Sequence, residues 1–185
     1  MHYPLLRLDS YGRGFFGPRL SNLLSHRQWT ARMIEAGVAD RVAAMWRDFI
    51  AFHGELDGRS VVQAGSGSVF RDALIDRIGA EDFLGAVLVA NDRPGELVGF
   101  CLALLEADPL NRSESFARIT ELYVADGMRR RGGGTCLVTF VIAAMRDQSF
   151  RRVEVDALLA NEAARSFYGR FGFAAFRERL FVEAE

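Results

Sequence analysis

The stretch that decides the fold reads ADGMRRRGGGT at residues 125–135. The ten residues before it, 115–124, have the composition of a β-strand. A helix follows at once, because apolar residues recur at helical spacing, namely Leu137, Phe140, Val141, Ala144 and Met145. The sequence therefore predicts a strand, a loop of arginines and glycines, and a helix that begins directly after the loop.

A loop of this composition suits a phosphate group. Glycines let backbone N–H groups approach a ligand closely, and the first-turn N–H groups of a helix have no partner within the helix. The helix dipole favours negative charge at the same place. Arg129, Arg130 and Arg131 add guanidinium groups that pair with phosphate oxygens. The alternative interpretation is a flexible turn that binds nothing.

Two common phosphate-binding patterns do not fit this loop. The P-loop pattern requires a lysine, and all 23 positively charged residues of the chain are arginine. The dinucleotide pattern G-x-G-x-x-G is matched by Gly132 and Gly134 in its first half, but Leu137 stands where its third glycine should be.

The loop matches another signature. Residues 129–134 fit the Q/R-x-x-G-x-G/A pattern of the GCN5-related N-acetyltransferases, and 152–158 read as the strand that precedes the family's second motif. That second motif follows at the right distance, as Asn161, Ala164, Phe167, Tyr168 and then Gly172-Phe173. The chain resembles this family closely over about 115–182, and less specifically from about residue 28.

The resemblance implies an α/β fold of the GNAT type: a central, mostly antiparallel, mixed sheet that splays open beside strand 115–124 and is flanked by helices. Acetyl-CoA would lie in the splay as cosubstrate, and no metal is implied. The expected cofactor-binding residues are Leu122, Tyr123 and Val124 for the pantetheine, Arg129, Arg130, Arg131, Gly132, Gly133, Gly134 and Thr135 for the pyrophosphate, and Asn161 for the pantetheine arm. Gly133 departs from the pattern, since most family members carry a larger apolar residue there.

Tyr168 is the candidate general acid. It shares an i, i+3, i+4, i+7 stripe with Ala164, Phe167 and Phe171, so its side chain is predicted to point inward. The resemblance implies that it protonates the departing CoA thiolate. The alternative is a core aromatic residue without a chemical role.

Glu121 is the candidate general base. On strand 115–124 it is expected to share a face with Ala117, Ile119 and Tyr123, and an apolar setting would raise its pKa toward neutrality. The alternative is a solvated or salt-bridged strand carboxylate, and Asp156 is the reserve candidate for the base.

Other positions have both a structural and a functional interpretation. Asn161 suits the N-cap of the last helix as well as a contact with the pantetheine. His53 ends the apolar stripe of the first helix, where the helix dipole favours it, yet with Trp46 and Phe49 it would also line an acceptor pocket. The rest of that pocket is expected from the second helix, a loop near 108–114 and a final strand pair from Ala174 onward.

Along the rest of the chain, residues 1–26 are interpreted as an N-terminal extension and 27–185 as the N-acetyltransferase domain. A strand from Trp29 leads to a helix with Asp40 as N-cap and Gly54 as its stop. A second helix over 70–78 and a hairpin of strands 84–90 and 96–106 complete this half.

Composition limits the partners. The formal net charge of the 185 residues is −1, which argues against a general nucleic-acid or membrane-surface binder. No apolar run approaches the roughly 20 residues that span a bilayer. Cys101 and Cys136 read as reduced core residues of a cytoplasmic protein, and the three scattered histidines predict no zinc site. A homodimer would be common for the family, but the sequence carries no interface signature.

The predicted function is therefore acyl transfer, most simply of acetyl from acetyl-CoA to a primary amine by direct attack in a ternary complex. One alternative is a catalytically silent module that binds or senses acyl-CoA. Another is a regulatory or interaction domain on a related fold without a CoA site. The sequence leaves the amine acceptor open among polyamines, amino acids, aminosugars and protein N-termini.

Overall fold

A computed structural model of the protein describes residues 28–58, 63–106, 115–148, 150–177 and 182. The predicted extension at 1–26 lies outside them. The strands in the described part are β1 (Trp29–Met33), β2 (Phe83–Ala90), β3 (Leu97–Glu106), β4 (Phe116–Val124) and β5 (Val153–Val155). The helices there are α1 (Ala39–Asp57), α2 (Ser66–Arg77), α3 (Gly133–Asp147) and α4 (Glu162–Gly169).

The five strands form one open mixed sheet in the order β1-β2-β3-β4-β5. Strands β1 to β4 pair antiparallel, and β5 pairs parallel with β4. The predicted α/β class and mostly antiparallel sheet are therefore confirmed. Strand β5 pairs only with Ala117–Ile119 of β4, whereas β3 accompanies β4 as far as Val124. The sheet thus opens after Ile119, and the rest of β4 has no strand on that side among the described residues.

Strand β4 contains a β-bulge. Leu102 of β3 lies opposite Glu121, and the next residue, Ala103, lies opposite Ile119, so Thr120 is the extra residue. A bulge shifts the alternation of side chains by one. In a regular strand, Ile119 and Glu121 would share a face. Because of the bulge between them, they lie on opposite faces of the sheet.

The core lies on both faces of the sheet. On one face, α3 buries Leu137, Phe140 and Val141 against β2, β3 and the first half of β4. On the other face, α1 and α2 bury Val42 and Leu74 in a second cluster, together with residues of β2 and β3 and the end of β4. Each helix forms because its apolar stripe is covered by the sheet.

Several predicted boundaries were wrong. Helix α1 begins after Val38, so Asp40 lies in its first turn and is not the N-cap, and the helix runs through Gly54 to end at Gly58. A short 3₁₀ turn at Ala36–Val38 leads directly into the helix, which removes the need for a side-chain cap. Strand β5 is shorter than 152–158, and residues 174–177 form no strand. The acceptor loop expected near 108–114 lies outside the described residues.

Both cysteines are buried and neither is in a disulfide, as predicted. In the part of the chain that the structure describes, no helix is long and apolar enough to cross a membrane. The same residues contain no group of three or more metal-ligating side chains placed to hold an ion.

Candidate active site

The arginine–glycine loop forms a tight turn into α3. Arg130 has a φ of 59° and Gly132 a φ of 87°, both in the left-handed region. The amide of Cys136 donates to the carbonyl of Gly132 at 2.9 Å, which is the first bond of the helix. The amides of residues 133–135 therefore have no acceptor within α3 and are free for a ligand. The loop is also fixed from outside, because Trp29 Nε1 donates to the Arg131 carbonyl at 2.8 Å.

Two glycines at the start of α3 lie close to neighbouring side chains. A Cβ added to Gly133 would lie 2.7 Å from Cδ2 of Leu88 in β2. A Cβ added to Gly134 would lie 3.3 Å from the ring of Phe167 in α4. The space that a larger residue at 133 would need is thus taken by Leu88, and the start of α3 packs closely between the sheet and α4.

The backbone of β4 presents polar groups on the open side of the sheet. The amide of Ala125 donates to the Val98 carbonyl at 2.8 Å, so the polar groups of Ala125 face β3. Backbone groups alternate along a strand. Those of Tyr123 therefore also face β3, while those of Leu122 and Val124 face the open side. Of the three residues expected to pair with pantetheine, Leu122 and Val124 thus turn their backbone groups to the open side, where the Val124 carbonyl already accepts from Arg129 Nε at 2.9 Å.

Glu121 lies beside this open edge. Its register partner is Leu102, which is buried in the cluster under α1 and α2, so Glu121 faces those helices. The expected face was half wrong: Tyr123 lies in the same cluster, but Ala117 and Ile119 lie on the α3 side because of the bulge at Thr120. Burial raises the pKa of Glu121, and a hydrogen bond from the Thr120 hydroxyl partly opposes the shift.

Tyr168 lies on the other side of the sheet. It is the buried residue of α4, and its ring packs edge-on against Phe167 and Phe173, with centroids 5.2 and 5.5 Å away. Burial, and to a lesser degree the thiol of Cys101, raise the pKa of Tyr168. Cys101 lies opposite Leu122 in the β3–β4 ladder, so Tyr168 is near the open edge at the level of Leu122. Its phenol stays protonated at neutral pH.

Asn161 is the N-cap of α4, as predicted. Its side-chain oxygen accepts a hydrogen bond from the amide of Ala164 at 3.0 Å. This leaves the side-chain NH₂ group of Asn161 to donate elsewhere. The reserve base, Asp156, is exposed beyond the end of β5.

The three aromatic candidates of α1 contact one another, α2 and β3. Trp46 stacks on Phe70 of α2 with a centroid distance of 4.4 Å, which joins α1 to α2. His53 Nδ1 donates to the carbonyl of Phe49 at 2.8 Å, and the two rings lie 4.1 Å apart. The position of His53 is therefore explained by its own helix.

The side chains of the three loop arginines point in different directions. Arg130 and Arg131 are exposed, and neither has a carboxylate within ion-pair distance among the described residues. Arg129 turns to the face of α1 and lies over Phe52 and Tyr123. Sequence reasoning missed Phe52 and its neighbour Asp48, whose only signal is an i, i+4 spacing on α1.

The comparisons with known proteins agree with this architecture. The family model described as "Acetyltransferase (GNAT) family" matches residues 44–173, more than half of the chain. No curated protein matches the sequence significantly.

Solved structures with the same fold include a tetramutant of the BH1408 protein from Bacillus halodurans. It has a TM-score of 0.72 and 17% identity, covering 83% of this chain and 99% of its own. The aminoglycoside acetyltransferase meta-AAC0020, from an uncultured soil metagenomic sample, has a TM-score of 0.64 and 17% identity. The match covers 86% of this chain and 97% of that protein. A GCN5-related N-acetyltransferase from Ralstonia eutropha JMP134 has a TM-score of 0.67 and 20% identity. The match covers 85% of this chain and 99% of that protein.

The loop that opens α3, the sheet that parts beside β4 and the family match over 44–173 lead to one assignment. The chain belongs to the acetyltransferase (GNAT) family.

Proposed function

We propose that the protein is an acyl-CoA-dependent N-acyltransferase that transfers acetyl from acetyl-CoA to a primary amine by direct attack in a ternary complex. The observation that carries the proposal is the pair of raised-pKa groups, Glu121 and Tyr168, on opposite sides of the open edge of β4. Perturbed acids and bases that flank a cleft are typical of a catalytic site.

The residues present fit the proposed cosubstrate. The amides of Gly133, Gly134 and Thr135 suit a pyrophosphate, since a helix N-terminus binds anions through free N–H groups and its dipole. The exposed guanidinium groups of Arg130 and Arg131 add positive charge beside them. The backbone groups of Leu122 and the amide of Val124 suit an extended amide chain such as pantetheine, which would pair as an added strand.

When bound, acetyl-CoA supplies an acyl carbon activated as a thioester. Glu121 then accepts a proton from the amine as its nitrogen forms the new C–N bond, and its raised pKa suits a base near neutral pH. Tyr168 donates its phenolic proton to the sulfur as the C–S bond breaks. Because Glu121 faces α1 and Tyr168 lies on the α3 side, base and acid approach the acyl carbon from opposite directions.

Direct attack is favoured over an acyl-enzyme. Both cysteines are buried, and burial raises the pKa of Cys101 far above neutrality, so its thiolate is not available. Cys136 lies in the first turns of α3, within the core. Buried, reduced cysteines also agree with action in the cytoplasm.

The test is CoA release from acetyl-CoA across an amine panel, with product identified by mass spectrometry. The panel contains polyamines, amino acids, peptides with free N-termini and aminoglycosides, the last because of the structural similarity to an aminoglycoside acetyltransferase. Amine-dependent release with an N-acetylated product is expected. A rise in melting temperature with acetyl-CoA but no release with any amine would favour the silent acyl-CoA-binding module, and no rise at all would favour a domain without a CoA site.

A further inference from the structure

We infer that Arg129 is a positioning residue for the acceptor side of the site. Its place in the loop suggests a contact with the cofactor's phosphates, but the direction of its side chain indicates a different role. The inference rests on the proposed function and assigns different roles to three consecutive arginines. Arg129 would hold α1 against the end of β4, whereas Arg130 and Arg131 would provide the charge for phosphate.

Two of the three nitrogens of the Arg129 side chain have polar partners within the chain. Its Nε donates to the carbonyl of Val124 at 2.9 Å. Its Nη2 forms an ion pair with Asp126 at 2.7 Å. Both partners lie within five residues in the chain, so the side chain folds back onto its own strand end and away from the start of α3.

The guanidinium lies over aromatic rings of two different elements. Its central carbon lies 5.2 Å from the ring centroid of Phe52 in α1 and 5.6 Å from that of Tyr123 in β4. Both distances are within the range of cation–π attraction. Arg129 is therefore a bridge between α1 and β4, on the face of the sheet where Glu121 lies.

A second contact joins the same two elements. The carboxylate of Asp48, one turn before Phe52 on α1, lies near the Tyr123 hydroxyl and adds to the rise in the pKa of that phenol that burial causes. Together with the Arg129 bridge, this places side chains of α1 beside the last residues of β4. The wall that an acceptor amine would meet on its way to Glu121 is thereby fixed in place.

Loss of the bridge should affect the acceptor more than the cofactor. In Arg129→Gln the planar cation that stacks between Phe52 and Tyr123 is gone, and α1 is free to move relative to Glu121. Small displacements of a positioned reactant are costly, so kcat/KM for the amine should fall about tenfold or more. The Kd of CoA should change by less than about twofold, because the phosphate ligands are untouched.

The experiment compares Arg129→Gln with the matched variant Arg130→Gln, which removes the same charge one residue away. CoA affinity is measured by calorimetry at two salt concentrations, and acceptor kinetics are measured with the best amine of the panel. Arg130→Gln should weaken CoA binding and reduce its salt dependence, whereas Arg129→Gln should do neither. If Arg129→Gln weakens CoA binding as much as Arg130→Gln, the inference is wrong, while the proposed function stands.

A second readout is independent of turnover. Hydrogen exchange of the last two turns of α1 should be faster in Arg129→Gln and in Phe52→Leu, and the double variant should add little to either single one. Unchanged exchange in α1 would overturn the inference. Should Arg129→Gln fail to fold, Arg129→Lys tests the same point, because lysine keeps the charge but not the planar fork. A wild-type protein that bound CoA but acetylated no amine would count against the proposed function. It would not affect the inference about Arg129, because the exchange data test the contact between α1 and β4 without turnover.

Discussion

The indole Nε1 of Trp29 donates a hydrogen bond to the carbonyl of Arg131 at 2.8 Å. The bond joins the first strand of the sheet to the arginine–glycine turn, 102 residues further along the chain. Trp29 is itself buried, and the bond is partly buried. The geometry of the turn therefore depends on the far edge of the sheet as well as on its own glycines.

Trp29→Phe tests this dependence. The change keeps an aromatic ring but removes the donor, which should cost about 1–3 kcal/mol of stability, since the Arg131 carbonyl loses its partner. CoA binding should weaken, because the amides that follow are less well oriented. Denaturant unfolding and calorimetry measure the two effects. Trp46→Phe is the matched control, since Trp46 contacts α2 and not the turn. Equal CoA affinity in the two variants would contradict the role of Trp29.

Glu121→Gln should remove the ascending limb of the pH–rate profile. The raised pKa of Glu121 places that limb above the range of an ordinary glutamate, because burial disfavours the charged form. A steady-state profile of kcat/KM for wild type and variant checks this. A variant whose profile keeps its ascending limb would exclude Glu121 as the base.

The same substitution makes a prediction about stability. A carboxyl whose folded-state pKa is raised stabilises the protein only while it is protonated, and the benefit is lost as pH rises through the folded pKa. Glu121→Gln should therefore melt like wild type at pH 4 and above wild type at pH 8. Thermal melts at the two pH values measure the difference. A variant less stable than wild type at pH 8 would show that Glu121 forms favourable contacts when charged.

Tyr168→Phe should lower kcat about 10²- to 10⁴-fold, as expected for loss of a general acid. The ring packing against Phe167 and Phe173 is kept, so stability and the Kd of CoA should hardly change. Comparing an activated thioester, whose leaving group needs no proton, with acetyl-CoA isolates the step. The defect should shrink for the better leaving group, and an equal defect with both would mean that Tyr168 acts by other means.

Gly133→Ala should destabilise the protein by about 1–3 kcal/mol, since the new methyl group meets Leu88 in a packed core. Alanine is otherwise the better helix former. In a Leu88→Ala background the clash is gone, so the same change should be neutral or stabilising. Urea unfolding of the four proteins of this cycle gives the coupling between the two residues. Equal costs in both backgrounds would mean that the contact with Leu88 is unimportant.

The sequence predicted the fold well where a pattern had a local cause. The arginine–glycine turn, the helix after it and the Asn161 cap all follow from residue types whose backbone preferences decide the structure. The bulge at Thr120 could not be predicted in this way, because side chains on both sides of it fit a regular strand equally well. Its effect was to place Glu121 on the face opposite Ile119.

The direction of the Arg129 side chain could not be predicted from the sequence either. Three identical residues in a row give no signal of which one turns toward α1, since that depends on Phe52 and Asp126 in space. The start of α1 shows the reverse case, in which the residue type suggested a cap at Asp40 but a preceding 3₁₀ turn made one unnecessary.

The short pairing of β5 has a consequence for the catalytic cycle. Beyond Ile119, one edge of β4 has no strand beside it among the residues that the structure describes. Under the proposed function, the arm of the cosubstrate serves as the missing strand, and each turnover adds and removes a piece of the sheet. Departure of the product then resembles the fraying of a strand, so its rate should depend on backbone hydrogen bonds that no side-chain substitution can remove directly.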